Sequence, residues 1–375
     1  MSIPGAGDRR GRAETGDSQG MAPDTMRAAY VTRLGPASEI HVGSLPVPTP
    51  GPTDVLVEVE AVAVNPVDTY VRSGGYRTPV PLPFVIGRDL VGAVAEAGPG
   101  TGFEPGERVW SNSLGHDGRQ GPSSQYAVVP SGRLYRLPRG VDPHVAVALA
   151  QPAATAYLGW FVHARLRPGR TVFVGGGGGN VGTAAIQMAA WAGARVLTSA
   201  RPEDHERCRA AGAEVALDYR DRELAARLAA HAPGGLDVVW ETSGHHDFAL
   251  AAAVAAPGCR ILVTAALPAE PAVPLRTLYT HDVSLVGFVI SRASAADLAA
   301  AADLVNQMMV EGRLTTRIAD RLRLEDAAAA HRRMEAGSVP GRLVVDVAED
   351  PGSPALPTRS GRSGPQANRG GEVTR

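Results

Sequence analysis

Apolar and polar positions follow two different periods along this chain. From Met26 to about Arg139 the apolar residues come in short runs cut by proline and glycine. Val55–Val64 (VLVEVEAVAV) alternates as a half-buried strand does, and Leu90–Ala97 and Ser124–Val129 read the same way. Helix-length periodicity is scarce there, so a mostly β, partly open barrel-like domain is expected. Near Asp142 the pattern changes. Val145–Leu166 is long, alanine-rich and helical, and Thr171–Val174 (TVFV) is a continuous buried strand running into Gly175–Gly179.

Beyond that loop, strands and helices of about ten residues alternate. Val181–Trp191 carries apolar side chains at 181, 184, 185 and 188, one face of a helix. Arg195–Ser199, Glu214–Leu217, Leu236–Trp240 and Arg260–Thr264 read as strands, and Glu203–Ala211, Arg222–His231 and Asp247–Ala256 as helices. Such alternation needs parallel pairing and crossover connections, hence an α/β doubly wound sheet. Val283–Ile290 is a further strand, Ala295–Glu311 a helix, and Gly341–Val347 a last strand expected to return to the first domain. The expected domains are therefore 26–150, completed by about 291–348, and 151–290. Residues 1–25 and 349–375 are expected to be a disordered leader and tail.

Composition narrows the class. The 375 residues exceed what one hydrophobic core usually serves. The formal net charge of -1 gives no global attraction to nucleic acid or an anionic membrane. Cys208 and Cys259 are the two cysteines, too few for a disulfide framework or a cysteine-rich zinc site, which points to a reducing, cytoplasmic setting. No run of consecutive apolar residues approaches the roughly 20 of a membrane span.

Gly177-Gly178-Gly179-Asn180-Val181-Gly182 satisfies G-x-G-x-x-G. The motif alone is weak, and a plain glycine turn would satisfy it. Here it follows a strand and opens an amphipathic helix, the context that makes it a dinucleotide loop. Gly177 suits the tight turn, Gly179 the close approach of a pyrophosphate, and Gly182 close helix–strand packing, with the helix N-terminus facing the phosphates. About 20 residues on, an NAD enzyme would carry Asp or Glu for the ribose 2′-hydroxyl. This chain has Thr198-Ser199-Ala200-Arg201 instead. An Arg–phosphate contact is worth about 1.5–3 kcal/mol, so the expected cofactor is NADPH. The bland alternative makes Arg201 a solvated charge at a helix start.

At this point residues 26–347 resemble the quinone oxidoreductase and zeta-crystallin branch of the medium-chain dehydrogenases/reductases. The resemblance rests on Val64-Asn65-Pro66-Val67-Asp68-Thr69-Tyr70-Val71-Arg72-Ser73-Gly74, on Pro83-Phe84-Val85-Ile86-Gly87-Arg88-Asp89-Leu90-Val91-Gly92, on Gly106-Glu107-Arg108-Val109-Trp110, on Thr155-Ala156-Tyr157 and on Asp218-Tyr219-Arg220. It implies a GroES-like catalytic domain, a Rossmann domain and a cleft between them. By position it implies that Asn65 contacts nicotinamide or substrate and that Thr155 supports the nicotinamide. Asn180 and Val181 would join the glycines at the phosphates. Ser199, Arg201 and Tyr219 would form a 2′-phosphate pocket, and Arg342 would be a further phosphate contact. Tyr70 and Tyr76 resemble two active-site tyrosines, with packing at the cleft wall the alternative.

The zinc-dependent relatives carry Cys where Asn65 stands and His-Glu where Arg88-Asp89 stands, so no metal site is expected. His245-His246 and His116-Asp117 are read as surface loop residues. The implied activity is NADPH-dependent hydride transfer to a quinone or other conjugated carbonyl. An enoyl or enone reductase, and an NADPH-binding protein with little turnover, remain open. The resemblance also implies a homodimer, with Val283–Ile290 as the pairing edge. The Trp110–Ser123 stretch departs from the family pattern, so the substrate does not carry over.

Overall fold

The computed structural model describes residues 23–265, 270–337 and 339–347. The expected tail, and all but the last three residues of the expected leader, lie outside the described residues. The first part of the chain comprises β1 (Thr25–Val31), β2 (His41–Pro46), β3 (Asp54–Val64), α1 (Pro66–Ser73), β4 (Phe84–Val85), β5 (Asp89–Ala97), β6 (Arg108–Ser111), β7 (Tyr126–Pro130) and β8 (Tyr135–Arg136). Then comes α2 (Pro143–Tyr157), which runs on as a π-turn, Leu158–His163. The alternating part is β9 (Thr171–Gly175), α3 (Asn180–Trp191), β10 (Arg195–Ala200), α4 (His205–Ala210), β11 (Val215–Asp218), α5 (Leu224–His231), β12 (Leu236–Glu241), α6 (Phe248–Ala253), β13 (Ala255–Val263), α7 (Leu275–Thr280) and β14 (Ser284–Gly287). Last come α8 (Ala295–Val310), β15 (Ile318–Arg323), α9 (Ala327–Glu335) and β16 (Arg342–Asp346).

Among the described residues these strands make three sheets. β9 to β14 form one sheet, parallel throughout, in the order β11-β10-β9-β12-β13-β14. The order reverses between β9 and β12, and that reversal opens a crevice at the carboxyl ends of the strands. The mostly β part has a sheet β2-β1-β4 and a sheet β15-β16-β3-β5-β6-β8, with β7 also on β3. β16 pairs antiparallel with β3, Leu343 opposite Val64, so the end of the chain completes the sheet that its beginning started.

α2 is the shared core. It packs against α3 and α8 as well as β3, β5 and β6, and its alanines let those neighbours approach closely. By length and composition Pro143–His163 would pass for a membrane span, which counting consecutive apolar residues did not suggest. Its most apolar window is 72% buried inside the fold, the placement of a core helix. The π-turn that ends it sets Trp160 edge-on to Trp240, ring centroids 5.0 Å apart. Trp160 donates to the Ala185 carbonyl and Trp240 to the Thr264 hydroxyl, so both indole N–H groups are satisfied.

Several expectations shift. The helix expected over Asp247–Ala256 stops at Ala253, because Pro257 disfavours helical backbone at Ala256 and β13 already begins at Ala255. The strand expected over Val283–Ile290 shortens to Ser284–Gly287, and Ile290 starts a 3-10 turn. α1, α7, α9 and β15 were not expected. α1 did carry end signals: Asn65 before it, Pro66 at its first position and Gly74 (φ 85°) after it. Eight residues are too few for periodicity to show.

A stability consequence follows from the π-turn. A Cβ on Gly159 would lie 2.3 Å from the Trp240 ring, which is wedged between Trp160 and Phe288 and has little room to move. Gly159→Ala is expected to lower unfolding free energy by about 1–3 kcal/mol, the cost of overpacking. A urea melt read by tryptophan fluorescence measures it, and an unchanged midpoint would mean that the wedge yields.

Candidate active site

The crevice at the sheet's switch point is a cleft of about 870 Å³ running from the glycine loop to the buried end of α1. β9 ends in Gly175, and Gly176 turns the chain with φ 73°. A Cβ on Gly182 would lie 2.2 Å from the Gly176 carbonyl oxygen, and one on Gly177 would lie 2.1 Å from Thr198 Oγ1. Only glycine lets α3 start this close to β9 and β10. The first backbone N–H groups of α3 have no partner within the helix, and their residues Asn180, Val181 and Gly182 line the cleft. A loop whose side chains would fill its own cradle fits a pyrophosphate.

The cleft is lined by Asn65, Gly179, Asn180, Val181, Gly182, Ser199, Arg201, Tyr219 and Arg342. Of the other positions named from the sequence, Gly177 lies behind the wall against Thr198. Thr155 is buried, its hydroxyl donating to the Gln151 carbonyl, while Gln151 itself lines the cleft. Tyr70 is 47% exposed outside the cleft. Tyr76 also stands outside it, its ring packed 5.8 Å from the His116 ring. The hydroxyls of Tyr70 and Tyr76 therefore do not meet at Asn65, because α1 turns its Tyr70 face outward.

At the end of β10, Arg201 extends half-exposed, with loose contacts to Glu203 (3.5 Å) and Asp204 (3.4 Å). Sequence reading missed two neighbours. Arg207, on α4, donates to the Gly178 carbonyl (2.6 Å), to Asp204 Oδ1 (2.9 Å) and to the Thr183 hydroxyl (3.1 Å). Asp204 is buried, and its Oδ2 is 2.6 Å from where a Cβ on Gly178 would sit. The strand tip has no acid in sequence, yet the fold returns one to the glycine loop. Both of its oxygens accept from guanidinium groups. The signal available was the i, i+3 spacing of Asp204 and Arg207.

The other end of the cleft is buried and ionic. Asn65 precedes α1, and its N–H donates to Asp68 Oδ2 (2.8 Å). Its Nδ2 donates to Asp89 Oδ2 (2.8 Å), and its Oδ1 accepts from Arg342 Nη2 (2.8 Å). Arg342 is 1% exposed and lies 3.5 Å from Asp89. Its strand, β16, pairs with β3, which draws the guanidinium to Asn65 and Asp89 at this end of the cleft, away from Arg201. Burial pushes the Asp89 carboxyl up to about 7 against the pull of Arg342, with Asp68 adding repulsion. The same cause pushes Asp68 up to about 6, against Arg88.

Comparison with known proteins agrees with this arrangement. Residues 51–139 match the alcohol dehydrogenase GroES-like domain, and residues 180–307 match the zinc-binding dehydrogenase family. The chain is 27% identical to the quinone oxidoreductase of Homo sapiens over 325 residues, 85% of this chain and 97% of that protein. It is 34% identical to the trans-enoyl reductase tazE of Aspergillus terreus over 209 residues, 52% of this chain and 69% of that one. Among solved structures, an NAD-dependent alcohol dehydrogenase superposes with a TM-score of 0.79 at 31% identity, covering 86% of this chain and 100% of the other. The mycobacterial Rv1454c complexed with NADPH superposes at 0.76 and 29%, covering 86% and 99%.

The raised Asp89 carboxyl has a thermodynamic signature. Folded protein holds this proton up to about pH 7, whereas an unfolded carboxyl releases it near 4. Its contribution is therefore full below pH 4 and is lost as pH rises through 7. Asp89→Asn should gain stability relative to wild type across that window, by up to about 1.4 kcal/mol per pH unit. Urea unfolding of both proteins from pH 4.5 to 8 (about the span of the two titrations) reads the difference. A difference independent of pH would mean that Asp89 is ionised throughout.

Proposed function

Because the chain belongs to the medium-chain dehydrogenase/reductase family, in its quinone oxidoreductase branch, we propose that it is an NADPH-dependent oxidoreductase passing hydride to a quinone or other conjugated carbonyl without zinc. The observation that carries this reading is the single cleft joining the glycine loop and Arg201 to the buried Asn65 end. NADPH would supply the hydride. Gly177, Gly179 and Gly182 shape the loop, and Asn180 and Val181 offer backbone donors to its phosphates. Ser199, Arg201 and Tyr219 would surround the 2′-phosphate, with Arg207 as a second cation. Thr155, from behind, holds the Gln151 side of the wall.

Zinc is left out of the reading on the chemistry of the donor set. Both polar atoms of the Asn65 side chain are engaged, and neither an amide nor the Arg88 guanidinium replaces thiolate or imidazole. Asn65 and, if the α1 segment shifts, Tyr70 or Tyr76 would touch the acceptor. The likeness to tazE supports an enoyl or enone reductase as the second reading. A low-turnover NADPH-binding protein is the third. A cytoplasmic setting suits the two buried free thiols.

The test is NADPH oxidation against quinones, enones and enoyl thioesters in parallel, with and without a chelator. Turnover of at least one class is expected, undiminished by the chelator. NADPH is expected to bind at least about tenfold more tightly than NADH, with Arg201→Ala erasing most of the gap. Equal affinities in a fluorescence titration would remove the cofactor assignment.

A homodimer is also expected. β14 is the outer strand of the parallel sheet, with Leu285 exposed on it, and Leu275 and Tyr279 of α7 exposed nearby. An uncovered apolar edge favours pairing with its own copy. Light scattering should give twice the chain mass, and Leu285→Lys should shift it toward one. A monomeric wild type would end this part of the reading.

A further inference from the structure

Next to Asn65, two buried side chains each hold one firm contact and leave their reactive edge without one. Arg88 is 2% exposed, and its Nη1 donates to Ser291 Oγ at 2.8 Å. Its Nε and Nη2 have no acceptor. Asp68 is 3% exposed, and its Oδ2 is held by the Asn65 N–H, while its Oδ1 has no donor. Arg88 Nε and Asp68 Oδ1 face each other 3.9 Å apart, too far for a hydrogen bond. Each orphaned buried group costs about 1–3 kcal/mol, so three at one point ask for an occupant.

We propose that this gap receives the acceptor's oxygen, with the Nε/Nη2 edge of Arg88 holding it as charge develops and Asp68 giving it a proton. The inference rests on the hydride-transfer reading above. The pair is closed to water and stands behind Asn65 and Pro66 of the cleft wall, so the acceptor's oxygen reaches it only as that wall gives way, and the Nε/Nη2 edge then presents two parallel donors. A preformed anion would meet the Asp68 carboxyl as well as the guanidinium. The gap therefore suits an oxygen that arrives neutral and gains charge during reaction, such as a quinone or enone carbonyl.

The step balances. Hydride from the reduced nicotinamide forms a C–H bond at the conjugated carbon, leaving the nicotinamide oxidised. The carbon–carbon π pair shifts toward the carbonyl carbon, and the carbonyl π pair moves onto oxygen. That oxygen takes the Asp68 proton to give an enol, or a hydroquinone after tautomerisation, and Asp68 regains a proton from solvent. Tyr76, outside the cleft, has its ring 6.0 Å from the Arg88 guanidinium and backs onto His116. The 110–123 segment thus reaches the Arg88 side of the gap through His116 and Tyr76. Asp68 also faces Arg342 of β16 and Asp89 of β5, and the opposite side of α1 carries Arg72 against Glu335 and His331 of α9.

The experiment uses Asp68→Asn, Arg88→Met and Ser291→Ala in the full chain. With a neutral enone, Asp68→Asn is expected to lose about 100-fold in kcat and to abolish the fall in kcat as pH rises through about 6. Arg88→Met is expected to lose about 100-fold. Ser291→Ala keeps the guanidinium and drops its anchor, for a loss of about 2- to 10-fold. It serves should Arg88→Met fail to fold. NADPH affinity stays unchanged in all three. A second readout needs no turnover: in Asp68→Asn protein, where no carboxylate faces the gap, bound 4-nitrophenol should ionise at lower pH than the free phenol, and adding Arg88→Met should cancel that shift. An Asp68→Asn variant with wild-type kcat and pH profile overturns the acid, and an unshifted phenol overturns the Arg88 role. If wild type reduces no acceptor, the hydride-transfer reading fails, while the phenol titration still decides whether the gap holds an oxyanion.

Discussion

A fully buried guanidinium, Arg342, fixes the geometry of the cleft. A charge at 1% exposure survives only where compensating groups surround it, and here Asn65 Oδ1 and Asp89 Oδ2 do so. Asn65 directly follows β3 and Asp89 opens β5, so β16, β3 and β5 must hold one register for the contacts to exist. One residue earlier, the Gly341 carbonyl accepts from Asn180 Nδ2 (3.3 Å), at the first turn of α3. A two-residue step of backbone thus ties the glycine loop to the ionic end of the cleft.

The two ends of the cleft obey different electrostatics. Around Arg201 the charges are partly exposed and screened, so a phosphate can displace the loose contacts to Glu203 and Asp204. Arg207, bonded to Gly178, is more firmly placed and carries positive charge to the loop itself. Around Asn65 the groups are dry, and burial favours neutral carboxyls even beside arginines. A solvated end suits binding a charged cofactor. A dry end suits handling charge that appears only during reaction.

α2 holds these ends in one body. It packs on both the parallel sheet and the strands that carry Asn65 and Asp89, and the Ser291–Arg88 bond adds a second link from the turn after β14. The tryptophan pair at the π-turn locks the far end of α2 against β12. Motion between the two parts must therefore work against a packed alanine interface, which favours small, discrete shifts over free hinging.

The amino-acid sequence alone determined what is local or periodic. The strand–helix alternation after Asp142 specified the parallel sheet, and the strand–GxGxxG–helix order specified the cradle, because both depend on neighbours in the chain. The absence of an acid at Ala200 was equally legible, and so were the residues that replace zinc ligands. The tertiary structure alone decided the rest. Arg342 lies at the Asn65 end because β16 pairs with β3, and the Asn65 it bonds stands 277 residues earlier in the chain. Asp204 and Arg207 joined the loop because α4 folds back over it, Tyr70 left the cleft because of the face that α1 turns outward, and Tyr76, beyond the end of α1, packs on His116 instead. Arg88 was legible in sequence as a departure from the zinc ligands, whereas its burial beside Asp68 depends on the fold. Periodicity reports which face a residue takes within its own element, whereas register between distant strands reports what that face meets.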